Sequence, residues 1–154
     1  MDWKFHTSLE LVFRQEPFIR FFRKKLIRYS SPSIPTETDV VSDGFMLVRR
    51  EALFEIGLYD ERFLMYFTED DLCHRLKRAE WKVYYFPDSS IIHKLFGSVK
   101  RVPKIKMAYI RTIDTLKYCA KYYELPIAFL ISLFVLLGFI IELIKLLKGV
   151  KCQV

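Results

Sequence analysis

Phe63-Leu64-Met65-Tyr66-Phe67-Thr68-Glu69-Asp70-Asp71-Leu72-Cys73-His74-Arg75-Leu76 is the stretch on which the reading of this chain turns. Five large apolar residues run into three adjacent carboxylates. Like charges so placed repel one another, so a helix start, a metal or a proton transfer is needed to account for them. The helix explanation is local. Thr68 serves as N-cap, Asp71 three residues on completes an arrangement like a capping box, and acidic side chains in the first turn complement the helix dipole. The spacing predicts a helix from the acidic run to about Arg78. The chemical explanation needs the surrounding chain.

Upstream, Gly44–Val48 reads as a strand and Arg50–Ile56 as a short helix closed by Gly57 in the usual C-terminal position. Leu58-Tyr59-Asp60-Glu61 reads as an acidic turn. Ser30–Thr38, with two prolines and several hydroxyls, reads as a loop. Pro17–Tyr29 reads as a helix with an apolar face and basic flank, suited to packing on its own domain or to a membrane surface. Downstream, Trp81–Phe86 reads as a strand stopped by Pro87-Asp88, and Ile91-Ile92 leads to His93. A histidine so placed is an ordinary strand-end residue or a ligand for a divalent cation. Strand, helix, helix, strand in this order is an α/β arrangement.

Lys104–Tyr123 has the pattern of a basic amphipathic helix. Beyond it, Ile127–Ile141 carries no charge, and the stretch from Leu125 to Leu147 crosses only Glu142 and Lys145. A membrane span needs about 20 mostly apolar residues, which the longer stretch reaches. Spanning, lying in the membrane plane and burial in protein all stay open, with Lys145, Lys148 and Lys151 placed to anchor at an interface.

Hydrophobic residues make up 52% of the 154 positions, enough to exclude a disordered chain. The net charge of +7 favours anionic partners. Its basic residues are interleaved with large apolar ones, as in Phe21-Phe22-Arg23-Lys24-Lys25, which fits a membrane surface better than a nucleic-acid groove. No nucleic-acid-binding signature accompanies the charge, so nucleic acid is not expected as a partner. Cys73, Cys119 and Cys152 give neither a disulfide framework nor zinc spacing, consistent with a reducing compartment. Met1–Glu10 is mixed and polar and does not read as a secretory signal.

Gly44-Phe45-Met46-Leu47-Val48-Arg49-Arg50-Glu51-Ala52, then Gly57-Leu58-Tyr59-Asp60-Glu61-Arg62-Phe63, then Met65-Tyr66-Phe67 and Asp71-Leu72-Cys73-His74-Arg75-Leu76, resembles the family-2 glycosyltransferases of the rhamnosyltransferase-like type. Ala79-Glu80-Trp81-Lys82-Val83 and Ile91-Ile92-His93, with the later Ser98, fill the next places of the family pattern. The likeness covers about residues 40–100 and, more weakly, 101–123. The chain departs from the pattern where the family has small residues: Asp43-Gly44 stands for Gly-Ala, Leu58 for the second glycine of a pair, and Glu80 for the glycine of an Ala-Gly pair.

The resemblance implies a GT-A fold and an inverting reaction. A carboxylate of the acidic motif takes the proton from the acceptor hydroxyl as the sugar's anomeric carbon is attacked. Asp70 is the first choice for that base and Glu69 the second, because the register of the motif admits both. Gly44, Asp71 and Arg75 support the motif or the acceptor site, and His93 matches a metal-holding histidine. A divalent metal, Mn or Mg, neutralises charge on the departing diphosphate.

The Asp-x-Asp motif that the family carries in its donor-binding half does not occur upstream of the acidic run. The chain is therefore expected to be the C-terminal portion of such an enzyme, α/β in class and followed by amphipathic and hydrophobic helices. Residues 1–103 form the acceptor-side half, 104–124 the amphipathic helix and 125–148 the hydrophobic, membrane-associated helix. The expected partners are a nucleotide-sugar, a glycan or lipid-linked acceptor, a membrane and a separate donor-binding half, at the cytoplasmic face of the cell membrane. The competing expectation is a non-catalytic, membrane-anchored remnant or regulatory module.

Overall fold

A computed structural model of the chain describes residues 32–92 and 102–148, which fall into two compact units. The expected helix at Pro17–Tyr29, together with His93 and Lys151, lies outside the described residues.

The first unit contains strand β1 (Thr36–Glu37), helix α1 (Arg50–Glu55), helix α2 (Thr68–Arg78) and strand β2 (Tyr84–Tyr85). The strands pair antiparallel, Thr36 opposite Tyr85 and Glu37 opposite Tyr84, and the Thr38 amide extends the ladder by donating to the Val83 carbonyl at 2.9 Å. Three expectations change here. The Ser30–Thr38 loop contains β1. The Trp81–Phe86 strand is regular only at Tyr84–Tyr85. The strand expected at Gly44–Val48 is instead a 3-10 turn, Asp43–Phe45, started by the Ser42 hydroxyl, which accepts from the Gly44 amide at 3.3 Å. A serine two residues ahead of a glycine offers the backbone a local partner that competes with a sheet ladder.

Helix α2 organises the unit because it is buried on two sides. Leu72 and Leu76, one turn apart, pack on Ala52 of α1, with Met46, Val48, Leu53, Ile56 and Trp81 around them. The adjacent Cys73 turns the other way, onto Val40 and Val83 beside the strand pair. Leu72 is fully buried, which is worth about 1.5–3 kcal/mol.

Both helices end in the same C-terminal motif. Behind α1, the Gly57 amide donates to the Phe54 carbonyl and the Leu58 amide to the Leu53 carbonyl. Behind α2, Glu80 donates to Lys77 and Trp81 to Leu76. These are Schellman pairings, and they require a left-handed residue just past the helix. Gly57 meets that requirement at φ +80°, but Leu58 (φ +66°) and Glu80 (φ +63°) are also left-handed. Two of the three positions where the resembled pattern has glycine and this chain does not, Leu58 and Glu80, are thus held in backbone conformations that favour glycine.

The second unit is a helical hairpin of α3 (Lys104–Tyr122) and α4 (Leu125–Leu147), joined by Tyr123 and Glu124. Pro126 sits in the first turn of α4, where its missing N–H costs no hydrogen bond. On α4 the buried residues are Ala128, Ile131, Val135 and Gly138, a single stripe along one side of the helix. Glu142 continues that stripe and is ion-paired with Arg111 of α3. The charge inside the apolar helix is thereby neutralised by its neighbour. Across the described residues the structure is mostly helical, with one two-stranded sheet.

Candidate functional site

The acidic run opens α2, but not as the capping pattern predicts. The N-cap is Phe67, in the left-handed region at φ +64°, and Thr68 is already the first helical residue. Its hydroxyl therefore caps no amide. It lies 3.0 Å from Glu69 Oε2 and 3.4 Å from Asp43 Oδ2, set between two carboxylates. The capping-box expectation for Thr68 and Asp71 is corrected on this point, whereas the dipole argument holds: Glu69, Asp70 and Asp71 fill the first turn and Arg75, Lys77 and Arg78 the last.

The three carboxylates separate by what surrounds them. Asp71 is fully buried and accepts from Arg75 Nε at 2.8 Å, one turn along the helix. Arg75 Nη1 in turn donates to the Ile56 carbonyl at 2.7 Å, the end of α1. Asp71 and Arg75 thus form a brace that joins α2 to the end of α1. Asp70 is only 5% exposed. Glu69 is half-buried, with its carboxylate at the Thr68 hydroxyl.

Other residues reach the same end of α2. Asp43 arrives on the 3-10 turn, next to Gly44, which is exposed. Sequence reasoning noted Asp43 only as a departure from the family pattern; the signal was its position in place of a glycine. The Tyr59 phenol is pushed above its ordinary 10.0 by burial and then by the nearby Asp43, Cys73 and Glu69. The Cys73 thiol is pushed up to about 11, first by burial and further by Asp70 and Glu69, with the Val41 backbone and Lys77 opposing. Asp60, in the acidic turn ahead of the run, holds Arg62 through a two-pronged contact at 2.8 and 2.7 Å.

Chemically, this end of α2 carries negative charge on Asp43, Glu69 and Asp70, a hydroxyl between two of them and a phenol alongside. It can accept protons and orient hydroxyl groups. Among the described residues no three of His, Cys, Asp and Glu come together as a metal-holding group.

Over 105 residues, 67% of this chain, the sequence is 30% identical to the N-acetylglucosaminyl-diphospho-decaprenol L-rhamnosyltransferase of Mycobacterium tuberculosis, in each of two strains. The chain is related to a glycosyltransferase. The matched part amounts to 32% of those relatives, so the chain spans about a third of their length. No family model and no solved structure matches it.

Proposed function

We propose that this chain is the acceptor-side portion of an inverting family-2 glycosyltransferase of GT-A fold, working at the cytoplasmic face of a membrane once a donor-binding half completes it. The completed enzyme moves a sugar from a nucleotide-sugar to a lipid-linked or cell-envelope glycan. The observation that carries this reading is the partition of the acidic run. Arg75 ties Asp71 into the scaffold, while Glu69 and Asp70 remain at the helix start with Asp43, Thr68 and Tyr59. A run needed only for the helix dipole gives no reason for that gathering. The similarity to an N-acetylglucosaminyl-diphospho-decaprenol L-rhamnosyltransferase supports a lipid-linked acceptor.

The acceptor hydroxyl must approach a carboxylate within about 2.6–3.2 Å to lose its proton as the anomeric carbon is attacked. Solvent access favours Glu69 as the carboxylate that touches it, in place of the sequence preference for Asp70, because Asp70 is 5% exposed. Thr68 then orients the Glu69 carboxylate, and Asp43 keeps the surroundings negative, which favours proton uptake. A divalent ion, Mn or Mg, and the nucleotide-sugar belong to the completed enzyme in this proposal, with His93 retained as the metal-side residue. The described residues do not assemble a metal site of their own.

The test is sugar transfer to a polyprenyl-diphosphate acceptor by this chain supplied with a donor-binding half. Glu69→Gln should lower turnover by about 10²- to 10⁴-fold, with the substrate KM little changed. Asp70→Asn acting alone in that way, with Glu69→Gln near wild type, would reverse the assignment. Full activity in the double variant would remove the acidic run from the chemistry.

A further inference from the structure

Helix α4 is 23 residues long, about 34 Å at 1.5 Å per residue, long enough to cross a bilayer core of about 30 Å. Length alone therefore permits a span. The hairpin argues otherwise. The stripe of α4 that runs from Ala128 through Ile131, Val135 and Gly138 to Glu142 is the side turned away from solvent, and Glu142 on it meets Arg111 of α3. Helix α3 carries Lys104, Lys106, Arg111, Asp114, Lys117 and Lys121, charges spread along its whole length. Were α4 to cross a membrane with α3 strapped to it, several of these would sit at hydrocarbon depth. Each costs about 2.5–3.5 kcal/mol near the centre.

The opposite side of α4 has the reverse character. Phe129, Leu133, Leu137, Ile140, Ile144 and Leu147 recur at helical spacing around the face away from Glu142, and all are exposed. Because α3 and α4 run antiparallel, the start of α3, with exposed Lys104 and Lys106, lies at the same end of the hairpin as Lys145 and Lys148 of α4. An apolar face with a basic end is complementary to anionic headgroups above acyl chains.

We infer that the α3–α4 hairpin docks flat on an anionic lipid surface. Helix α4 is sunk in the membrane plane on its Phe129–Leu147 face, and α3 stays on the water side, held by the Arg111–Glu142 pair. This deepens the membrane part of the reading above and rests on it.

The experiment uses the full chain and vesicles of phosphatidylcholine with or without phosphatidylglycerol. Binding should require the anionic lipid and weaken with salt. Lys145→Gln with Lys148→Gln should lower the partition coefficient about thirtyfold. A tryptophan in place of Leu137, near the middle of α4, reports depth after subtraction of the wild-type emission. Lipids brominated near the headgroup should quench it more than lipids brominated near the chain ends, since an in-plane helix sinks only about 5–10 Å. Strongest quenching from the chain ends would overturn the in-plane arrangement while leaving the membrane reading intact. Binding to neither vesicle, or a stable dimer in solution that covers this face, would overturn both. Sugar transfer, assayed separately, would be untouched by those results.

Discussion

Arg75 Nε stands 2.8 Å from Asp71 Oδ2, and the same guanidinium reaches the Ile56 carbonyl at 2.7 Å. One side chain thus neutralises a carboxylate with no solvent access and ties down the last turn of α1. Arg75→Met removes both services and takes from the buried Asp71 carboxylate the guanidinium that pairs with it. The expected loss is about 3–5 kcal/mol in denaturant unfolding. Asp71→Asn combined with Arg75→Met should cost less than the sum of the single changes, because the pair acts as a unit. Additive losses would show that the two residues do not depend on each other.

Leu58 and Glu80 occupy left-handed backbone positions just past helices α1 and α2. Glycine relieves the steric cost there, at some expense in unfolded-state entropy. Leu58→Gly and Glu80→Gly should each raise stability by about 1 kcal/mol, read as a higher Tm. A lower Tm for both would mean that the side chains contribute more than the backbone strain removes.

Cys73 and Cys119 are buried, and both thiols are raised from 9.0 to about 11. The folded state therefore keeps its thiol protons where the unfolded chain has lost them. Stability from this source is complete below pH 9 and falls as pH rises toward 11. Unfolding midpoints measured from pH 8 to 11 should decline across that window, and Cys73→Ser with Cys119→Ser should flatten the decline. At pH 8 neither thiol should alkylate with iodoacetamide in the folded chain, and both should react in denaturant. Rapid labelling of Cys73 or Cys119 under native conditions would contradict their burial.

Arg111 and Glu142 join the two helices of the hairpin. Arg111→Met leaves a carboxylate on the inner stripe of α4 with its partner removed, and should destabilise the second unit by about 3 kcal/mol. Glu142→Gln, which removes the charge and keeps the shape, should cost less. Circular dichroism melts of the two variants check the order, and equal losses would point to a solvent-exposed pair of little weight.

Helices were the legible part of the sequence. Arg50–Glu55, Thr68–Arg78, Lys104–Tyr122 and Leu125–Leu147 fall on segments with clear apolar spacing and recognisable ends, such as Gly57 behind α1. Strands were less so. β1 and β2 are two residues each, shorter than any periodicity can reveal, and they exist because Thr38 finds Val83 across more than forty residues of chain. The acidic run announced itself, but its internal division did not. The one-turn spacing of Asp71 and Arg75 was readable, but not that the pair would be buried or that Arg75 would go on to the Ile56 carbonyl. Nor was the start of the helix, which Phe67 sets although it has no preference for left-handed backbone. Asp43 stood out only as a departure from the resembled pattern, because its contact with Thr68 spans 25 positions.

The pairing of Thr36 with Tyr85 has a consequence for how this protein can be handled. Both ends of the excursion that carries the acidic helix emerge side by side, a few ångströms apart, as neighbouring strands do. Such an excursion has the end-to-end geometry of a cassette. Transplanted between two adjacent strands of a foreign host, residues 36–85 need no bridging linker, and the host's own sheet can serve as the clasp.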